Sequence, residues 1–300
     1  VPYNLQLGEP VPAGIKRIVR EEIESAARQL RGQGESSRDE AIHEARKNVK
    51  KIRGVLRLMQ PELGEVYRAE NIRFRDAGRQ LSEFRDASAM VETFDGLVKK
   101  YREELGRSKL ASIRRGLVAH KQQAERQNNI ETVLASMATA LRRSARGVAA
   151  WPLAADGFSA IEPGLEATFR RGRKVLARAR KHPSPENYHE WRKRVKEHWY
   201  HVRLLENYWT EAIGAYEKSL KELETALGDD HNLVLLSEKV SADPAGHGKA
   251  PDITLFDELI EKYHKALRGD ALKLGKHIYG EKPRQFTKRM RRLWSERPVQ

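Results

Sequence analysis

Apolar residues recur at spacings of three and four over most of the chain, the period of a helix buried on one side. Between residues 42 and 59, for example, Ala45, Val49, Ile52, Leu56 and Met59 share one arc, while Arg and Lys occupy the other. No Val-, Ile- or Thr-rich alternation lasts long enough for a strand. The pattern predicts helices at 12–30, 37–59, 62–100, 107–147, 161–181, 185–207, 209–240, 252–277 and 283–296. Ser36 and Ser37, Pro61, Pro185 and Asp252 are start signals. Gly32 to Gly34 and Ala242 to Pro251 read as loops. The segment Trp151 to Gly164, with Pro152, Gly157, Pro163 and Gly164, interrupts the helical pattern and is the expected boundary.

That boundary separates two similar halves. The run from Ile42 to Lys50 (IHEARKNVK) returns as Tyr188 to Lys196 (YHEWRKRVK), 146 residues later. Over positions 43–58 eight of sixteen residues are identical at this offset, and Leu81 to Asp86 falls on Leu227 to Asn232 in the same register. An ungapped register over two helices predicts internal duplication. The expected fold is all-α, with two pseudo-symmetric four-helix bundles of long antiparallel helices at residues 1–150 and 151–300.

The duplicated helix carries its charge on one side. His43, Arg46, Lys47, Lys50, Arg53 and Arg57 lie within an arc of about 120°. His189, Arg192, Lys193, Lys196 and Arg203 repeat that arc, with Trp191, Val195, Val202 and Leu205 opposite. The next helix adds Arg68, Arg75 and Arg79 in the first copy, and Lys218 and Lys221 in the second. Phe74, Ala77, Leu81 and Phe84, then Leu220, Leu223 and Leu227, face the core. The first helix of each copy adds Arg17 and Arg20, and Arg170 and Arg173. A solvated helix face ordinarily mixes signs, because like charges four apart repel. Here His43/Lys47, Arg46/Lys50 and Arg53/Arg57 are such neighbours, which points to an anionic ligand.

Composition agrees. Lys and Arg number 57 against 42 Asp and Glu, a net charge of +15, and Cys is absent. The excess implies a polyanionic partner. No apolar run reaches the roughly 18 residues that span a bilayer, so no membrane partner is expected. Absence of Cys excludes thiolate chemistry and suits a reducing, cytoplasmic setting. His198 and His201, three apart on the apolar side, read as core histidines, and HExxH is not completed at His43 or His189. No catalytic residue, metal or cofactor is expected.

The repeated His-Glu-x-Arg-Lys-x-x-Lys motif, the duplication and the Leu-x-x-x-Arg-Asp motif at Leu81 to Asp86 together resemble the CHAD family, the conserved histidine α-helical domain. Pro283 to Trp294 resembles its closing helix. The resemblance implies two pseudo-symmetric bundles with basic faces, binding of long-chain inorganic polyphosphate and association with polyphosphate granules. Carried over, the binding residues are His43, Arg46, Lys47, Lys50, Arg57, His189, Arg192, Lys193, Lys196 and Arg203. The second copy departs at Gly214 (for Arg68), Thr225 (for Arg79) and Trp199 (for Arg53), so fewer contacts are expected there.

Two other functions compete. Single-strand nucleic-acid binders interleave aromatics with basic residues, whereas Trp191, Phe74 and Phe84 fall on apolar arcs. Trp199 and Tyr200 border the basic arc, so weaker nucleic-acid binding stays open. A phosphatase needs carboxylates around Mg²⁺; Glu44, Glu190, Asp86, Asp229 and Asp230 are available, but Asp86 is matched by Asn232. Non-enzymatic binding is the expectation.

Overall fold

The computed structural model describes residues 2–33, 37–105, 110–127, 130–208 and 211–296, without the side chains of 83–85, 124–127 and 211–213. No strand occurs among the described residues. The first half holds α1 (Val11–Leu30), α2 (Arg38–Leu58), α3 (Gln60–Leu63), α4 (Glu65–Lys100), α5 (Arg102–Leu105), α6 (Ala111–Gln127) and α7 (Ile130–Gly147). The second holds α8 (Gly157–Lys181), α9 (Pro185–Leu204), α10 (Glu211–Ala242), α11 (Pro244–His247), α12 (Ala250–Ile278) and α13 (Pro283–Ser295).

Several ends follow from capping chemistry. Ser37 caps α2 in a complete capping box with Glu40; Ser36 lies outside the described residues. Ser184 caps α9 by accepting from Asn187 N–H, with Pro185 at the first helical position. These side chains satisfy backbone donors that the helix leaves open.

Four expectations are corrected. The segment 62–100 does not begin one helix at 62, because Gly64, at φ +49°, separates the short α3 from α4. The segment 107–147 is two helices, α6 packing on α4 and α7 on α1. Asp252 is not a cap; α12 begins at Ala250, and Asp252 sits in its first turn, accepting from Ser112 Oγ at 3.2 Å. Pro163 and Gly164 do not break the chain but lie within α8. Gly164 is needed there, since a Cβ would come within 1.9 Å of the Leu58 carbonyl oxygen. Pro163 is exposed, so water can reach the carbonyl that its missing N–H leaves open.

The two halves pack in the same order. In the first, α1 lies on α2, α2 on α4, α4 on α6 and α7 back on α1. In the second, α8 lies on α9, α9 on α10, α10 on α12 and α13 back on α8. The halves meet where α2 crosses α9 and where α4 touches α10. Residues 151–156 join them without helix.

The apolar arcs are buried as the periodicity requires. Ala45, Val49, Ile52, Leu56 and Met59 are in the core, as are Trp191, Val195, Val202 and Leu205. Phe74, Leu81, Leu220, Leu223 and Leu227 join them, and Ala77 is partly buried; the Phe84 side chain lies outside the described set. His198 and His201 are fully buried core histidines. A second, smaller core gathers Phe94, Leu97, Ile113 and Leu117 with Leu233, Leu236, Phe256 and Ile260. Both cores therefore draw on both halves. α4 enters the large core at Leu81 and the small one at Phe94, and α10 does so at Leu227 and Leu233.

Candidate binding cleft

Between those two cores lies a cleft of about 970 Å³. Its walls are α2 from His43 to Lys50, α9 from His189 to Tyr200, the second half of α4 from Ser82 to Leu97 and α10 from Lys221 to Leu235, with Tyr263 of α12. Eight of the expected binding residues line it: His43, Arg46, Lys47, Lys50, His189, Arg192, Lys196 and Lys221. The helix-wheel arcs of α2 and α9 thus face one common space.

Lys50 sits deepest. Burial holds its ammonium well below the usual lysine value, and the charges of Lys196, Arg46 and Arg192 add to the effect. It forms no ion pair with any described residue. Burial likewise lowers Lys196 and Arg192. Arg192 Nε is buried and has no hydrogen-bond partner among the described residues. A buried donor left open in this way is costly and is satisfied when an acceptor arrives.

Carboxylates offset part of this charge. Glu224 accepts from Lys196 at 2.7 Å and Lys221 at 2.8 Å. Although burial acts to raise it, the two lysines bring Glu224 down to about 2. Arg46 approaches Asp86 at 3.6 Å, and Lys47 binds Glu44 at 3.0 Å. Asp229 also faces the cleft, raised by burial and by Glu224. Among the described residues no group of three His, Cys, Asp or Glu is arranged to hold a metal ion.

Two histidine rings stand together on the α9–α10 side. His189 and His231 have centroids 4.1 Å apart. Burial lowers His189, with Lys193 and Arg192 adding to it, and lowers His231 to about 3, with Arg192 and His189 adding. Both rings are therefore neutral at pH 7. His231 was missed as a candidate. The signal for it is the repeat register, which sets His231 opposite Arg85 of the Leu-x-x-x-Arg-Asp motif. Trp199 and Tyr200, read from the sequence as bordering the basic arc, form part of the cleft wall; Lys221 Nζ lies 4.5 Å from the Trp199 ring.

The other expected residues lie elsewhere. Arg17 ties the N-terminal segment down through Glu9, Glu21 and the Asn4 carbonyl. Lys193 binds Glu190 on the outer side of α9, and Arg170 binds Glu166. Arg203 lies over the Tyr3 and Trp199 rings at 5.9 and 5.2 Å. Arg53 reaches Asn71 at 3.3 Å, and Arg57 holds Glu197 at 2.8 Å. Arg75 pairs with its neighbour Asp76. Arg20, Arg68, Arg79 and Lys218 are exposed, and Arg173 is half-buried on α8.

The CHAD domain family matches residues 17–241. The chain belongs to the CHAD domain family. Two solved structures share its fold. One is the CHAD domain from the plant Ricinus communis, with 16% identity over 89% of each chain and a TM-score of 0.60. The other is PptA from Streptomyces chartreusis, with 14% identity over 94% of this chain and all of that one, and a TM-score of 0.57. No curated protein matches the sequence. The CHAD match covers the cleft lining from His43 to Leu235. It stops short of the later helices, of which only Tyr263 lines the cleft. Among the described residues, no helix is long and apolar enough to cross a membrane.

Proposed function

We propose that this CHAD domain binds long-chain inorganic polyphosphate in the cleft, without turning it over. The observation that carries the reading is Lys50, half-buried and ringed by cations, with the open Nε of Arg192 close by. Polyphosphate carries about one charge per unit and no bases, so it matches Lys and Arg on rigid helices rather than stacking platforms. Trp199 and Tyr200 are almost fully buried and already covered by Arg203, Lys221 and Lys196, which leaves little ring face for bases. Nucleic acid is accordingly the weaker ligand. Binding of this kind would hold the protein on polyphosphate granules in the cytoplasm.

A titration of polyphosphate against pyrophosphate, RNA and heparin tests the reading, with Lys50→Met/Arg192→Gln as the variant. Polyphosphate should bind tightest to the wild type and at least tenfold more weakly to the variant. The variant's melting temperature should not fall, because it loses buried charge that the free protein disfavours. Equal affinity of both proteins would sink the assignment, and phosphate release with Mg²⁺ or Mn²⁺ would replace it with an enzymatic one.

A further inference from the structure

A second pocket, of about 530 Å³, opens where the end of α2, the α3 turn and α8 meet. Arg57, Gln60, Gly64, Ala167 and Arg171 are among its walls. Arg171 belongs to no repeated motif; the residue 146 positions earlier is Ser25. Its guanidinium is poorly satisfied. Nη2 makes one long hydrogen bond to Thr168 Oγ1 at 3.5 Å, and Nε is buried without an acceptor among the described residues.

The nearest carboxylate is already committed. Glu197 is bonded by Arg57 Nη1 at 2.8 Å and by Arg194 Nη1 at 2.9 Å. Arg53 and Arg171 also feel its charge. Arg194 is shared with Glu190 at 3.8 Å. Arg53, Arg57, Arg171 and Arg194 thus crowd around Glu197, while Glu190 is shared between Arg194 and Lys193. Burial lowers Arg171, and burial with Arg57 brings Arg53 down to about 10, as expected where cations lack a counter-charge. The equivalent arginine of the other half, Arg203, is instead covered by Tyr3 and Trp199. Gly64, which lines the pocket, precedes α4, and that helix has no side-chain cap at its start.

The geometry points to a second anion site here, separate from the cleft, that takes a phosphate group between Arg57 and Arg171. Planar guanidinium forks match phosphate oxygens in pairs. A local excess of positive charge favours a dianion over a monocarboxylate. Ala167 is small and a Cβ on Gly64 would meet nothing within 4 Å, which leaves room for the group to approach. Its source is either free orthophosphate or the end of a phosphate polymer.

Calorimetric titration of sodium orthophosphate into the full chain at fixed ionic strength tests this, on wild type, Arg171→Gln, Ala167→Glu and Lys50→Met. The wild type and Lys50→Met should bind orthophosphate equally. Arg171→Gln and Ala167→Glu should lose at least tenfold while keeping the wild-type melting temperature. If orthophosphate still binds beside saturating polyphosphate, the source is the free ion. If polyphosphate displaces it, and Arg171→Gln weakens both, the source is a chain end. Unchanged orthophosphate affinity in Arg171→Gln and Ala167→Glu, or no orthophosphate binding by the wild type, would overturn the site. Loss of cleft binding in Lys50→Met alone bears only on the polyphosphate reading.

Discussion

At the scale of single residues, burial and like-charge crowding set the protonation of the cleft. His231 titrates near 3 and His189 below the ordinary histidine range, burial being the main cause in both. The core histidines His198 and His201 are brought to about 3 and about 4, again mainly by burial. A histidine lowered in the folded state is neutral there while the unfolded chain is protonated. Between about pH 6.5 and the folded value, the unfolded state therefore holds more protons, and stability falls as pH falls. Glu224 extends the loss further, from the ordinary carboxylate range down toward 2. A polyanion reverses the effect in the cleft, because its charge favours protonated His189 and His231. We expect the free protein's urea midpoint to drop between pH 7 and pH 5. We also expect polyphosphate binding to take up protons and tighten over the same interval. Calorimetry in buffers of different ionisation enthalpy reads the uptake directly, and His189→Asn/His231→Asn should remove most of it. Proton release on binding would contradict the histidine assignment.

At the scale of elements, periodicity carried far because each long helix has one buried arc and one charged arc. It could place Arg46, Lys50, Arg53 and Arg57 on one side of α2, but not say where α9 crosses that side. The crossing lies at Gly54 and Tyr200, where a Cβ on Gly54 would come within 3.2 Å of the Tyr200 Cβ. These two positions are themselves 146 apart, the spacing of the repeat. Residues before the crossing, such as Lys50 and Lys196, face the cleft; Arg57 and Arg203 lie beyond it and do not. Lys193 and Arg170 also lie off the cleft, each paired with a Glu one turn earlier on its own helix. The same limit explains Pro163 and Gly164. As sequence they read as a break, but in the fold Gly164 is the point where α8 touches the end of α2. Gly164→Ala should therefore cost about 3 kcal/mol, the upper part of the range for overpacking. A matched substitution at Gly269, where a Cβ meets nothing within 4 Å, should be neutral or stabilising. Urea denaturation of the two variants checks the contrast, and equal stability would mean that α8 does not approach α2 this closely.

At the scale of the whole molecule, the charge of +15 divides into two populations. Much of it is spread over outer helix faces, where Arg20, Arg68, Arg79 and Lys218 are exposed. Six Lys and Arg side chains converge in the cleft: Arg46, Lys47, Lys50, Arg192, Lys196 and Lys221. Asp86, Glu92, Glu224 and Asp229 line the same walls and limit their mutual repulsion while no ligand is bound. The two populations respond differently to salt. Exposed charges are screened within about 10 Å at 0.1 M, so they steer the polymer toward the protein without fixing it. Charges that contact phosphates release counterions, and each one contributes about −0.7 to the slope of log affinity against log salt on a single-stranded polyanion. Six cleft contacts therefore give a slope of about −4, and Lys50→Met/Arg192→Gln brings it to about −3. Arg20→Gln/Arg68→Gln should lower the association rate at low salt and leave the slope nearly unchanged. Polyphosphate titrations across a salt series measure all three slopes. A wild-type slope near −10, or equal slopes for the cleft and surface variants, would show that the polymer wraps the outer faces and not the cleft.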